Sequence, residues 1–173
     1  MKRVLLDTNI YEHLLKGINR EILEKHISQN QVIFYGMDVI RKELRAIPKK
    51  RKETVGGAAK NLRNALLGLY DTLVGKHHYH LMAQMEEMAS KYYLLYNSFG
   101  GKALKHEIIA DFTIVACASL HELDIVFSED SKTMISGEAV KSYHAVNLIL
   151  GFKTPSFYRF RELKKMLGGG SLD

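Results

Sequence analysis

Four acids stand where a carboxylate can do chemistry rather than simply meet solvent: Asp7, Glu43, Asp111 and Asp130. Asp7 closes the apolar run Val4, Leu5, Leu6, and Asp130 comes shortly after the run Ile125, Val126, Phe127. An acid at the carboxyl end of a buried strand lies where open α/β sheets gather their active sites. Asp7 there has two readings, as the cap of a helix whose Tyr11, Leu14 and Leu15 face inward, or as the ligand of a metal. Glu43 lies at the edge of the buried stripe set by Ile40 and Leu44, a position that can look into a pocket. Asp111 interrupts a helix from His106 to His121 that is apolar on most of its circumference, and a carboxylate among such neighbours is costly unless it pairs with a cation. Converging carboxylates repel one another and are tolerable only if cations neutralise them. Hard oxygen ligands with retained waters suit Mg2+ or Mn2+ rather than zinc. With two such ions, or one ion and a water, the natural chemistry is in-line attack on a phosphodiester.

The elements that must position these acids follow from hydrophobic periodicity. A first strand runs into Asp7, a helix follows, and residues 20 to 28 put Ile22, Leu23 and Ile27 at helical spacing before a second strand at Val32 to Tyr35. Met37 and Asp38 open the helix that carries Glu43, with Asp38 as its N-cap and Pro48 as its stop. After the helix carrying Asp111, a third strand leads to Ser128, Glu129 and Asp130. Residues 138 to 150 form an amphipathic helix ended by Gly151, and Thr154, Pro155 and Ser156 start a last helix through Tyr158 to Met166. Strands alternating with helices imply a parallel sheet with right-handed crossovers, so Asp7 and Asp130 share one sheet edge, on which all four acids can converge.

Between Pro48 and Gly101 the pattern changes. Lys49, Lys50, Arg51 and Lys52 form a basic run that reads as a solvated loop, and it leads through Gly56 and Gly57 to two helical stretches, 58 to 74 and 79 to 96. These read as an antiparallel helical hairpin inserted into the α/β frame. His77, His78 and His80 lie between them and read as a polar turn, because no Cys or further ligand shows metal-site spacing nearby.

The chain has 173 residues, 46% of them hydrophobic, which is enough for one core. The expected organisation is one domain over 1–167, with the insertion at about 49–102 and a flexible Gly-rich tail at 168–173. No apolar run approaches the roughly eighteen residues of a membrane span, and no signal-peptide pattern opens the chain, so a cytoplasmic location is expected. The single Cys117, in an apolar run, reads as a small core residue. A net charge of +6 favours a polyanionic partner such as nucleic acid.

Four segments together resemble the acidic motifs of PIN-domain nucleases: Val4-Leu5-Leu6-Asp7-Thr8-Asn9, Val39-Ile40-Arg41-Lys42-Glu43-Leu44, Ala110-Asp111-Phe112-Thr113-Ile114-Val115-Ala116 and Val126-Phe127-Ser128-Glu129-Asp130. The ending Tyr143, Val146, Asn147, Gly151, Lys153, Thr154, Pro155 is similar to that of prokaryotic PIN proteins, and the resemblance covers nearly the whole chain except about 49–102. It implies a PIN-like α/β fold, a central parallel sheet flanked by helices, and Mg2+- or Mn2+-dependent endoribonuclease activity of the toxin or RNA-processing kind. It further implies Asp7 and Asp111 as the main metal ligands, Glu43 acting partly through water, Asp130 as the fourth acid, and Asn9 and Ser128 holding carboxylates or substrate. The partners it implies are RNA, or DNA, together with an antitoxin or assembly partner and a second copy of the chain. Apart from the resemblance, the basic run Lys49 to Lys52 starts only a few residues beyond Glu43, and the expectation beside the solvated-loop reading is that it guides the nucleic-acid backbone. Two departures stand out: the insertion makes the chain longer than compact VapC-type toxins, and Glu129 adjoins Asp130.

Other assignments fit the residues less well. Asp124 precedes its strand and points to the opposite edge. A phosphatase of the haloacid dehalogenase type wants a second Asp two residues after the first, where this chain has Asn9. A non-enzymatic RNA-binding or assembly module on the same fold is the alternative to a nuclease.

Overall fold

Val4, Leu5 and Leu6 have no exposed surface, and their strand β1 (Lys2–Leu6) is the middle of the sheet. The computed structural model describes residues 1–18, 21, 23–25, 32–55 and 58–168. Strand β1 pairs in parallel with β2 (Val32–Met37) on one side. On the other it pairs in parallel with the three-residue strand Ile125–Phe127. Helix α1 (Thr8–Gly17) leaves β1 and buries Ile10, Tyr11 and Leu14. Helix α2 (Asp38–Ala46) leaves β2, buries Ile40 and Leu44, and stops two residues before Pro48, as the steric bar on helix before proline requires. Of the helical stretch expected over 20 to 28, Leu23 is buried in the core, whereas Ile22 and Ile27 lie outside the described residues.

The segment between Pro48 and Gly101 departs from the expected helical hairpin. Residues 58 to 61 are not helix: β3 (Lys52–Val55) and β4 (Ala58–Asn61) form an antiparallel ribbon, with Glu53 opposite Lys60 and Thr54 opposite Ala59. Lys52 of the basic run therefore belongs to a strand; Gly56 and Gly57 lie outside the described residues. An Ala-containing stretch beside a helix has no period-2 apolar pattern, so only the pairing itself reveals this strand. Helix α3 (Leu62–Val74) follows, capped by the Asn61 side chain. The His-containing turn is in fact β5 (His78–Tyr79), which pairs in parallel with the end of β2. Helix α4 (Ala83–Ser98) starts after it. Both expected helices exist, but α3 packs against α1, α2 and β2, and α4 packs against the two helices that follow it. Period alone gives two amphipathic faces and not what each face covers.

Helix α5 (Lys105–Leu120) runs through the interior, with Ile108 and every residue from Phe112 to Ser119 buried, the free Cys117 among them. It leads to β6 (Ile125–Phe127). Helix α6 (Gly137–Leu150) ends where Gly151 takes a left-handed φ of 77°, a conformation glycine reaches without Cβ strain. The last helix is shorter than the sequence pattern implies. Ser156–Tyr158 is strand β7, parallel to β6 at the sheet edge, and α7 (Phe160–Met166) begins only after it. A proline is compatible with the approach to an edge strand, so Pro155 did not mark a helix start. Of the Gly-rich tail, Gly168 is described and the residues after it lie outside the described ones.

The sheet order is β5-β2-β1-β6-β7, all parallel, as expected of the α/β frame. The chain moves outward from β1 to β5 and then returns to place β6 on the other side of β1. Such a reversal of strand order opens a crevice at the carboxyl ends of the two adjoining strands. Helices α2 and α5, which arise on opposite sides of this reversal, meet each other. One buried cluster spans the elements from Val4 to Leu167.

Candidate active site at the carboxyl ends of β1 and β6

Asp7 and Ser128 are the first residues beyond β1 and β6, and they lie side by side because the Asp7 N–H donates to the Phe127 carbonyl at 2.9 Å. The Asp7 carboxylate is 4% exposed. Its Oδ1 accepts from the Thr8 N–H at 2.7 Å, the capping contact. Its Oδ2 accepts from Ser128 Oγ at 2.7 Å and from Asn9 Nδ2 at 2.6 Å. The two sequence readings of Asp7 are thus not exclusive: one oxygen caps α1, and the other is held toward the crevice. Asn9 also accepts the Glu129 N–H at 3.1 Å, and Ser128 Oγ accepts the Asp130 N–H at 3.0 Å. Asn9 and Ser128 therefore brace the turn that carries the acids.

The other three acids reach the same crevice from α2, α5 and the loop after β6. Glu43, half-buried, accepts a short hydrogen bond from the Thr8 hydroxyl, which ties α2 to the start of α1. Asp111 and Asp130 share the hydroxyl of Thr133, which lies 2.5 Å from Asp111 Oδ2 and in short contact with Asp130 Oδ2. Asp130 is itself fixed by the Lys132 and Thr133 N–H groups, each 2.9 Å from Oδ1. A hydroxyl carries one proton, so it can donate to only one carboxylate at a time. Its second short contact calls for a proton or a cation on the pair. The carboxylate of Glu129, the neighbour of Asp130, turns away and accepts the Phe160 N–H at 2.8 Å, capping α7.

Electrostatics agree with this convergence. Burial pushes the Asp111 carboxyl up to about 7, the Thr133 hydrogen bond opposes the rise, and the charges of Asp7, Asp130 and Glu43 add to it. Burial also raises Asp7, against its hydrogen bonds from Ser128 and Thr8, and raises Glu43, against Thr8. Among the described residues, none of the four acids is in an ion pair with a lysine or arginine. An all-oxygen donor set with unneutralised charge fits a hard divalent cation. The four acids do not close on one point: no three of them bring ligand atoms within 4.8 Å of one another. That spacing suits ions that keep part of their water shell.

Asp124 is at the other end of β6. Its Oδ2 accepts the Arg3 N–H at 2.9 Å and its Oδ1 lies 3.4 Å from Lys153 Nζ, away from the four acids. The basic run is divided in role. Arg51 pairs with Glu12 of α1 at 3.1 Å and Glu53 pairs with Lys16 at 3.3 Å, so the ribbon lies along the helix that starts at Asp7. Lys49, Lys50 and Lys52 are exposed. Sequence reasoning gave no role to Thr8 or Thr133. A Thr three residues after an acid in the loop beyond a strand, as in Asp130 to Thr133, is the turn signature that could have found the second.

No model of a known family matches the chain, and no curated protein matches it. Solved structures do. VapBC2 from Rickettsia felis, bound to a DNA fragment from its promoter, superposes with a TM-score of 0.56 over 91% of this chain and 98% of its own, at 10% identity. DNA-bound VapBC from Salmonella typhimurium gives 0.54 over 92% and 99%, at 12% identity. FitAcB from Neisseria gonorrhoeae gives 0.51 over 91% and 98%, at 16% identity. These are PIN-fold proteins, and the fold of this chain is the PIN fold.

Proposed function

We propose that, on this PIN fold, Asp7, Glu43, Asp111 and Asp130 are the metal-holding acids of a nuclease that hydrolyses RNA phosphodiester bonds. The observation that carries the reading is geometric: Asp7 beyond β1, Glu43 from α2 and Asp130 beyond β6 gather about the buried Asp111, which shares the Thr133 hydroxyl with Asp130, and burial with their charges pushes its carboxyl up to about 7. Perturbed carboxylates that meet at a sheet's topological switch point mark a functional site better than they mark a structural ion pair. Asp7 and Asp111 are the principal ligands for Mg2+ or Mn2+, Asp130 joins them, and Glu43 acts partly through water. A bound divalent ion of this kind activates water and neutralises charge developing on phosphate oxygens. Asn9 and Ser128 hold Asp7 in one orientation, and Thr133 does the same for Asp111 and Asp130. Lys49, Lys50 and Lys52 guide the backbone of the substrate, while Arg51 fixes the ribbon to α1.

The structural neighbours were solved as VapBC and FitAcB assemblies, the Rickettsia and Salmonella ones on DNA. Their form supports a toxin-type reading in which a small partner protein restrains the nuclease, with RNA processing as the other role. The test is to incubate purified protein with total RNA, and separately with DNA, in the presence of Mg2+, Mn2+ or chelator, and to sequence new ends. Metal-dependent cuts in RNA support the proposal, cuts in DNA alone move the substrate, and intact nucleic acid under all conditions favours a binding or assembly module.

A further inference from the structure

We propose a second cation site, separate from the four acids and of different chemistry, formed by Asp38, His78 and His80 and suited to a borderline transition ion such as Zn2+. The three residues bring one ligand atom each to within 4.8 Å of the others. His78 Nε2 lies 2.8 Å from Asp38 Oδ1, and His80 Nδ1 lies 3.4 Å from Asp38 Oδ2. Ligands about 2.0–2.1 Å from a tetrahedral zinc stand about 3.3–3.4 Å apart; the His80 separation already matches this, and the His78–Asp38 hydrogen bond would open by about half an ångström to admit the ion. Two imidazoles and one carboxylate select Zn2+ and its transition-metal neighbours, whereas the oxygen-only crevice selects Mg2+ or Mn2+.

The local fold presents these ligands. In an extended segment alternate side chains share a side, which puts His78 and His80 together. His77 and Tyr79, on the other side, pack on the Tyr35 ring. The parallel pairing of β5 sets Gly36 opposite His78 and Met37 opposite Tyr79, next to Asp38 at the start of α2. Asp38 does not cap that helix with its side chain, contrary to the sequence expectation. Its Oδ2 accepts the Leu81 N–H at 2.8 Å instead, so the carboxylate faces the histidines.

A second contact fixes the His78 ring. Tyr70, only 2% exposed, is packed so tightly on β2 that a Cβ at Gly36 would overlap its hydroxyl. That hydroxyl donates to the Met37 carbonyl and lies 2.7 Å from His78 Nδ1. The His78 contact, at 2.7 Å, is the shorter of the two, against 3.4 Å to Met37, and it holds the ring with Nε2 toward the Asp38 carboxylate. A metal-bound imidazole is usually held by a hydrogen bond at its outer nitrogen, and the Tyr70 hydroxyl is placed to make one. The third ligand escaped sequence reasoning because it lies forty residues before His78, across a crossover. Bound there, the ion would tie the segment leading into α4 to the first turn of α2, the helix that carries Glu43.

The test uses the full chain without an affinity tag, labelled with 15N and held in excess Mg2+ so that the acids are occupied. Zn2+ is then titrated by calorimetry and by imidazole resonances. The expected result is one equivalent bound, with His78 Nε2 and His80 Nδ1 shifted, affinity at least tenfold weaker in Asp38→Asn and His80→Ala, and affinity unchanged in Asp111→Asn. His80 has an 84% exposed side chain, so its removal tests the site without loss of the fold. Imidazole resonances unmoved at 100 µM Zn2+, or an affinity that survives His80→Ala, would overturn the proposal and leave a hydrogen-bonded His78–Asp38 pair.

Discussion

Asp7 and Asp124 belong to the same pair of strands, one just past the end of β1 and the other just before the start of β6, yet their surroundings are opposite. Asp124 is held below the usual carboxylate range by the Arg3 N–H, with Lys153 helping. Asp7 is raised by burial and by the charge of Asp130, even though it accepts hydrogen bonds from Ser128, Thr8 and Asn9. The amino ends of the strands hold an acid that serves the fold, which gives up nothing by being ionised. The carboxyl ends hold acids that burden the fold until something neutralises them. Carboxylates so perturbed make the carboxyl ends the candidate functional site.

The contrast is broken most severely by removing charge at the carboxyl ends. Asp7→Asn and Asp111→Asn should each lower metal-dependent RNA cleavage about a thousandfold or more, about 4 kcal/mol of barrier, while the fold persists. Circular dichroism alongside single-turnover assays checks both halves. Wild-type rates in either folded variant would remove that residue from the site.

The bracing residues come next. Thr133→Val and Ser128→Ala leave every acid in place but take away the donors that orient them, so each should cost about 10–100-fold in activity or metal affinity. Changes confined to substrate affinity would assign them to binding rather than to orientation.

The two ends should also respond to pH in opposite directions. The folded value of Asp111, about 7, exceeds its ordinary 3.8. Its contribution to the stability of metal-free protein is therefore fully present below 3.8 and is lost as pH rises through about 7. Asp124 has a lowered folded value, so its contribution is present above 3.8 and lost as pH falls through that folded value. In chelator, denaturant melts of Asp111→Asn should overtake wild type at pH 8 and not at pH 4, whereas Asp124→Asn should lose stability at pH 8, by about 1 kcal/mol. Parallel pH profiles for the three proteins would contradict the comparison.

The smallest effect belongs to the exposed lysines. Changing Lys49, Lys50 and Lys52 to Ala should flatten the log-log dependence of RNA binding on salt by about 0.7 for each phosphate no longer neutralised, with the chemical step unchanged. Arg51→Ala should loosen the ribbon instead, because Arg51 is paired with Glu12. Identical salt slopes in wild type and the triple variant would make the run a solvated feature only.

Much of the frame was legible in the sequence. The buried runs before Asp7 and Asp130 carry no polar residue, and a parallel strand covered on both faces leaves that mark. Asp111 announced itself as a carboxylate inside an apolar helix. The short strands did not. β5 has two residues and β7 three, too few to set a period, and their identity comes from pairing with β2 and β6. The ribbon of β3 and β4 sets Lys52 opposite Asn61 and Glu53 opposite Lys60, so its sequence shows no alternating apolar pattern to read. Thr133 and Asp38 were hidden for another reason, since each matters through a partner distant in sequence, Asp111 for the first and His78 for the second.

The central claim is that the acids at the carboxyl ends of β1 and β6 hold a hard divalent ion. Titrating Mn2+ into the His80→Ala protein, with free ion followed by electron paramagnetic resonance, tests it most directly, because the histidine site is then disabled. Saturable binding is expected, weakening at least tenfold when Asp7→Asn and Asp111→Asn are added, a loss of about 1.4 kcal/mol or more. Equal Mn2+ affinity with and without those two carboxylates would contradict it.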